Sequence, residues 1–565
     1  MAEILLKSGT IIDGTGDPSR VADLLISGGR IKAIGTGLST KGQTIDVAGL
    51  AVTPGLIDPH THLDGQFFFE PTGSPSAWHA VTTVLMGHCG YSLAPIKKEH
   101  LDYIIHMFAA VEEIPPRLLE QHIPWSWESF PQYLDRLEHN LGINVISQVG
   151  HSTLRYYVMG DDATKRHATE SELDQMRRLL REALRAGAFG FTTSRSPTHV
   201  GWDGSPVPSR YASPEEIVSL AEELAVTRLG TLGYIPEGTL AGLTPQDKAI
   251  IIQMAHRSGG KSVQLNGVSN KGGLQFMEDA SKQGAKLYGV NTAQPFYRYF
   301  DFQEGTVTFN SMDTWFAVMN KAWPERRAAL ASRDLRPTLR READAEATME
   351  GKSMRRARLN WAEMRVVTIP GQGTKQYESW SIQEIAAKQG KHVVDALLDL
   401  AEADDWKTRF IYRVTPESSW LSNARGEEYK HPNLIPMNSD SGAHLGSECK
   451  AGEGIFFLRH WVLNLGVMRI EEGIRRVTAD VARHIGLPDR GLLREGFAAD
   501  IAVFDLERLD ALPKEQAWDL PQGSMRWIQR ATGIQHVFVN GEQTIESGKH
   551  TGRLPGGVLR SSRYA

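Results

Sequence analysis

An alternation of strand-like and helix-like segments across the middle of the chain constrains the fold most. The runs VTTVLMGHCG, INVISQVGHSTLR, AFGFTTSR, TRLGTLGY, KSVQLNGV, AKLYGVNTA and NLIPMNSD read as strands. Helical patterns separate them. Thr169 and Glu172 form a capping box, Leu173, Met176, Leu179, Leu180, Ala183 and Leu184 follow at helical spacing, and Gly187 stops the helix. Ser213, Pro214 and Glu216 open another, with Ile217, Leu220, Ala221 and Leu224. Strand–helix repetition implies an α/β fold with a parallel sheet, and its length suits a TIM (β/α)8 barrel over residues 56–489.

The two ends read differently. ILLKSGTII, DLLISGGRIKAIG and QTIDVAGLAVTPG at one end, and ADIAVFD and HVFVNGEQTIESG at the other, mix β-branched residues with Gly and Asp breaks. They predict one small β domain built from residues 1–55 and 490–565. Two insertions interrupt the alternation. Residues 101–140 are helical and broken by proline. Residues 300–430 are too long for one connection, so extra helical elements or a lid are expected there. Within that span, 321–360 carries eleven Lys/Arg against six Asp/Glu, which reads as a solvated helical pair rather than a nucleic-acid surface. Its opening run QPFYRYFDF, with Phe296, Tyr297, Tyr299 and Phe302, could wall an apolar pocket or belong to a core.

Composition narrows the class. A 41% hydrophobic share over 565 residues supports a sizeable core and argues against disorder. The net charge of −5 excludes a general nucleic-acid footprint. No apolar run approaches the roughly 18 residues needed to cross a bilayer. The start, MAEILLKSGTIIDG, lacks the features of a secretory signal. Two cysteines, Cys89 and Cys449, exclude a disulfide scaffold and fit a reducing cytoplasm. An enzyme acting on a small molecule is expected, with no nucleic-acid or membrane partner. Homo-oligomerisation stays open.

Chemistry concentrates at strand ends. In GLIDPHTHLD an apolar strand runs into His60 and His62, and residues i and i+2 of a strand share a side. Both imidazoles can face one point at the barrel mouth, where an imidazole pair suits zinc and its neighbours. Cys89, in GHCGYSLAP, ends the next strand and could ligate the same ion as a thiolate. His88 should point elsewhere by alternation, as a supporting group at most. In MNSDSGAHLG, Asp440 ends the last strand. It can touch the ion, take a proton from an activated water, and pass it to a leaving amine. Ser441 and His444 flank that mouth as substrate-binding candidates. His151 and Arg155 in GHSTLR and His199 in SRSPTHVG, with Arg195 nearby, are further candidates for a substrate carboxylate or carbonyl.

Taken together, HTH after GLIDP, GHCGYSLAP, GHSTLR, NSDSGAH and ADIAVFD after DRGLLREGFA resemble the amidohydrolase superfamily, in the branch of the D-aminoacylases or N-acyl-D-amino-acid deacylases. The resemblance implies a TIM barrel with a β-sandwich made from both chain ends. It implies hydrolysis of an amide bond in an N-acylated small molecule, with metal-activated water as nucleophile. His60, His62, Cys89 and Asp440 match its ligand and base motifs. The branch also places a histidine at the end of strand five and another at the end of strand six. Here TLGYIPEG and QLNGVSNKGG stand there, with Gly233 and Asn266 in the matching slots. One divalent ion, zinc foremost, is therefore expected rather than two. The branch's substrate-binding arginine near strand five has no counterpart in IPEG, which leaves the acylated amine open. A cyclic amide hydrolase or deaminase, and a degenerate binding protein, are the alternatives.

Overall fold

The computed structural model describes residues 3–238, 242–268, 271–309, 312–346, 359–371, 374–413 and 417–564. The chain forms two compact units. One contains Met1–Gln294, Gly426–Ala443 and Cys449–Ala565; the other contains Pro295–Arg425 and His444–Glu448.

The larger unit is built on parallel strands. Leu56–Asp58, Val81–Met86 and Asn144–Ser147 pair side by side. Val149–Gly150, Gly190–Ser194, Thr231–Ile235, Ser262–Asn266, Leu287–Val290 and Leu434–Ile435 continue the parallel series in chain order. Past Leu56–Asp58 and Leu434–Ile435 the chain makes one more parallel bridge, between Thr61 and Ser441. Val81–Met86 is buried at all six positions, as expected for a strand covered on both faces.

The intervening helices follow their sequence signals. Helix Glu170–Ala186 starts at the Thr169 capping box and ends at Gly187, whose φ of 111° suits glycine. It buries Met176, Leu180, Ala183 and Leu184. Helix Pro214–Glu222 starts at Ser213, whose side chain accepts the Glu216 N–H. One expected strand is shorter than its sequence suggests. INVISQVG is extended, but His151–Met159 is a helix, so HSTLR opens a helix instead of closing a strand. In the 101–140 insertion, the helices are Leu101–Glu112, Pro116–His122 and Phe130–Leu137.

Strands from the two chain ends share one nine-stranded sheet. Its seam pairs Ala51–Pro54 with Ile501–Phe504 in antiparallel register, Ala51 opposite Phe504 and Pro54 opposite Ile501. Leu6, Leu24, Val52, Ile501, Val503 and Phe538 form its core.

The smaller unit holds a three-stranded antiparallel sheet of Tyr297–Phe300, Arg409–Arg413 and Met364–Thr368. Phe300, Phe302, Phe309, Trp315 and Phe410 lie in its own core. Of the QPFYRYFDF aromatics, Phe302 is therefore core, while Tyr297 and Tyr299 remain half-buried. Helices Trp323–Ala331 and Arg336–Glu346 fall in the basic stretch. They are not uniformly solvated, because Arg326 and Arg336 are buried. Residues 347–358 of that stretch lie outside the described residues.

Candidate metal centre

The end of strand Leu56–Asp58 sets the first two groups. The Thr61 N–H donates to the Leu85 carbonyl and the His62 N–H to the Ser441 carbonyl, which holds this segment between two neighbours. The imidazoles of His60 and His62 then turn the same way, with ring centroids 5.3 Å apart. The next strand ends at Met86, and the chain turns sharply through Gly87 at φ 84° and Cys89 at φ 59°. A Cβ on Gly87 would stand 2.2 Å from the Gln148 carbonyl oxygen, so only glycine fits. This turn brings Cys89 Sγ within 3.5 Å of His60 Nε2 and 3.6 Å of His62 Nε2. All three groups are buried.

Asp440 approaches from the far end of the parallel series, in a left-handed turn at φ 47°. Its Oδ1 lies 3.1 Å from His60 Nε2 and 4.0 Å from His62 Nε2. Its side chain is 20% exposed, against 1% for each histidine, so it faces the accessible side of the cluster. Lys450 Nζ donates to Asp440 Oδ2 at 2.6 Å. Glu112, at the end of helix Leu101–Glu112, places Oε2 3.5 Å from His62 Nε2.

His60, His62 and Cys89 together can hold a divalent ion. Metal–ligand bonds of about 2.0–2.3 Å put neighbouring tetrahedral donors about 3.3–3.6 Å apart. The observed nitrogen–sulfur separations of 3.5 and 3.6 Å match that spacing. Burial lowers the His60 pKa to about 4, against the opposing pull of Asp440, so the ring is neutral and its lone pair is available. Burial also pushes the Cys89 thiol well up, with Glu112 and Asp440 adding to the effect. A cation among the donors would act in the opposite direction and favour the thiolate. The Asn266 side-chain amide lies 2.9 Å from His60 Nδ1. Its nitrogen faces the ring, so Asn266 Nδ2 donates to His60 Nδ1, with Gln264 Nε2 a further 3.4 Å contact on the same atom.

The remaining expected residues are placed variously. His88 does not point away: its ring stacks on His60 with centroids 4.1 Å apart. Strict alternation fails here because the strand ends two residues earlier and the backbone turns at Gly87. In the strand-five slot, a Cβ on Gly233 would meet Thr192 Cγ2 at 2.8 Å, with His88 Nδ1 at 3.8 Å. Thr192 therefore crowds the place of a strand-five histidine. His151 and Arg155 both turn to a buried carboxylate. His151 Nε2 lies 2.9 Å from Glu216 Oε1 and Nδ1 lies 2.8 Å from Thr193 Oγ1. Arg155 Nη1 donates to Glu216 Oε1 at 2.7 Å. Arg195 pairs with Glu237, and His199 packs against Tyr91 with ring centroids 5.6 Å apart. The Ser441 hydroxyl accepts from Ser76 at 2.7 Å. His444 belongs to the smaller unit, where its carbonyl accepts the Ser447 and Glu448 N–H groups.

Lys450 and Glu112 were missed by sequence reasoning. Lys450 follows Asp440 by ten residues in SECKAGE, a spacing with no periodic meaning in irregular chain. Glu112 lies in AAVEE, which reads as an ordinary acidic helix end.

The sequence profile of the amidohydrolase family matches residues 43–545. The chain is 28% identical to the N-acyl-D-aspartate deacylase of Alcaligenes xylosoxydans xylosoxydans, over 99% of this chain and 95% of the relative. It is 27% identical to the D-aminoacylase of the same organism, over 99% and 97%. Among solved structures, a D-aminoacylase whose binuclear metal centre was studied superposes with a TM-score of 0.66 at 24% identity, covering 99% of this chain and 100% of the other. The N-acyl-D-glutamate deacylase from Bordetella bronchiseptica, complexed with zinc and a phosphonate inhibitor, also gives 0.66 at 24% identity, covering 99% of both chains. These crystal structures share the fold. No described helix is long and apolar enough to cross a membrane. The chain belongs to the amidohydrolase family and is a hydrolase.

Proposed function

We propose that this protein hydrolyses the amide bond of an N-acylated small molecule, with N-acyl-D-amino acids the first class to test because the relatives carry those names. The observation that carries the reading is the meeting of His60, His62 and Cys89 with Asp440 Oδ1, 3.1 Å from His60 Nε2, at the ends of separate strands. We read the parallel series as an eight-stranded closed barrel, which is supported by Val149–Gly150 following the strand Asn144–Ser147 and by the isolated Thr61–Ser441 bridge. The division into a composite β domain of 1–55 and 490–565 around a catalytic 56–489 belongs to the same reading.

His60, His62, Cys89 and Asp440 would hold one divalent ion, zinc foremost. When bound, the ion supplies Lewis acidity and lowers the pKa of water. One ion rather than two is supported by Gly233 and Asn266 in the slots of two histidines. Asp440 supplies the proton transfers: Oδ1 accepts a proton from the attacking water and returns it to the departing amine nitrogen. Lys450 grips Oδ2 and fixes the rotation that keeps Oδ1 toward His60. His151, Arg155, His199 and Ser441 remain the proposed substrate-side set. Of these, the Arg155 guanidinium acts through Glu216, which it shares with His151.

The test is hydrolysis of a panel of N-acyl-D- and N-acyl-L-amino acids by zinc-loaded protein, beside Asp440→Asn. Release of free amine that Asp440→Asn abolishes supports the reading. No turnover of any amide, or full activity in the variant, contradicts it.

A further inference from the structure

Helix Leu101–Glu112 ends on a carboxylate in an unfavourable place. Glu112 is 3% exposed and is the last residue of the helix, ahead of Glu113 at φ 50°. A helix C-terminus already carries partial negative charge on its unpaired carbonyls, so a carboxylate there is repelled. Burial adds a larger cost. Glu112 Oε1 has no hydrogen-bond partner. Among the described residues its ion-pair contact is with His62, where Oε2 stands 3.5 Å from Nε2.

That nitrogen is the donor atom His62 offers to the cluster, and Cys89 Sγ lies 3.6 Å from it. A carboxylate oxygen 3.5 Å from that nitrogen lies within reach of an ion held there.

We propose that Glu112 is a further metal-binding carboxylate of this centre, approaching the ion from the His62 side while Asp440 approaches from the His60 side. This inference rests on the metal-centre reading above. Glu112 would then remain a carboxylate ligand while Asp440 exchanges its proton. Neither of the two slots filled by Gly233 and Asn266 supplies that anchor. The insertion 101–140 does.

The test uses the full chain, stripped with a chelator and titrated with zinc against a chromophoric competitor, for the parent and Glu112→Gln. Cobalt loading reports Cys89 through its thiolate charge-transfer band. Glu112→Gln should bind zinc at least about tenfold more weakly, the scale on which even the groups supporting metal ligands act. The cobalt–thiolate band should persist. On adding zinc, the melting temperature of the variant should rise less than that of the parent. Equal zinc affinity in the two proteins overturns the role of Glu112 and leaves the metal centre standing. A parent that binds no zinc overturns both. Should Glu112→Gln not fold, Glu112→Asp draws the carboxylate back by one methylene, and the same affinity criterion decides.

Discussion

Two contacts and an open side fit Asp440 to the proposed proton transfers. Lys450 fixes one oxygen, His60 lies 3.1 Å from the other, and a fifth of the side chain faces outward. Asp440→Asn keeps the shape but removes the proposed base. It should retain the fold and most of the metal while losing nearly all turnover, a drop of at least about 10²-fold. Elemental analysis beside steady-state kinetics checks both halves. Cys89→Ala removes the donor common to both histidines, and zinc occupancy after dialysis should fall well below that of the parent. Unchanged occupancy would make Cys89 a packing residue.

Elements aim these side chains, and turns do most of the aiming. Gly87→Ala forces a Cβ to within 2.2 Å of the Gln148 oxygen at φ 84°. It should destabilise by more than about 2 kcal/mol, combining left-handed strain with a backbone clash. Thermal or denaturant unfolding measures the loss. The same turn marks the limit of sequence reading. His60 and His62 could be placed together because i and i+2 alternation holds through that segment. Cys89 could be placed with them because it ends the next apolar run. His88 could not, since alternation stops at Met86. Helix Glu170–Ala186 was legible from its capping box, its buried stripe and Gly187. His151 and Arg155 were mistaken for strand residues because GHSTLR carries no apolar period that separates helix from strand. Lys450 and Glu112 are brought in by tertiary structure, which local spacing does not encode. The single strand–helix repeat did reveal the parallel α/β plan, because βα units covered on both faces leave continuous apolar runs.

At the scale of the whole molecule, buried titratable groups tie stability to pH. His484 stacks on Tyr288 with ring centroids 4.3 Å apart, and burial lowers its pKa from 6.5 to about 3. Above pH 6.5 neither folded nor unfolded chain protonates it. Between pH 6.5 and about 3 the unfolded chain takes up the proton first, so stability falls with falling pH. His484→Phe should flatten that part of the melting profile, and an unaltered slope between pH 6.5 and 4 would show that His484 does not contribute. Metal binding acts on the same scale, because an ion bound only by the folded chain raises the melting temperature by mass action. Chelation should lower it, and Cys89→Ala should show a smaller difference.

The central claim is a single-ion hydrolytic centre. Metal content per chain, measured by elemental analysis on protein purified before any chelator, tests it most directly. About one equivalent of zinc or a similar divalent ion is the predicted result. No bound metal, even after zinc is added back, would contradict the account.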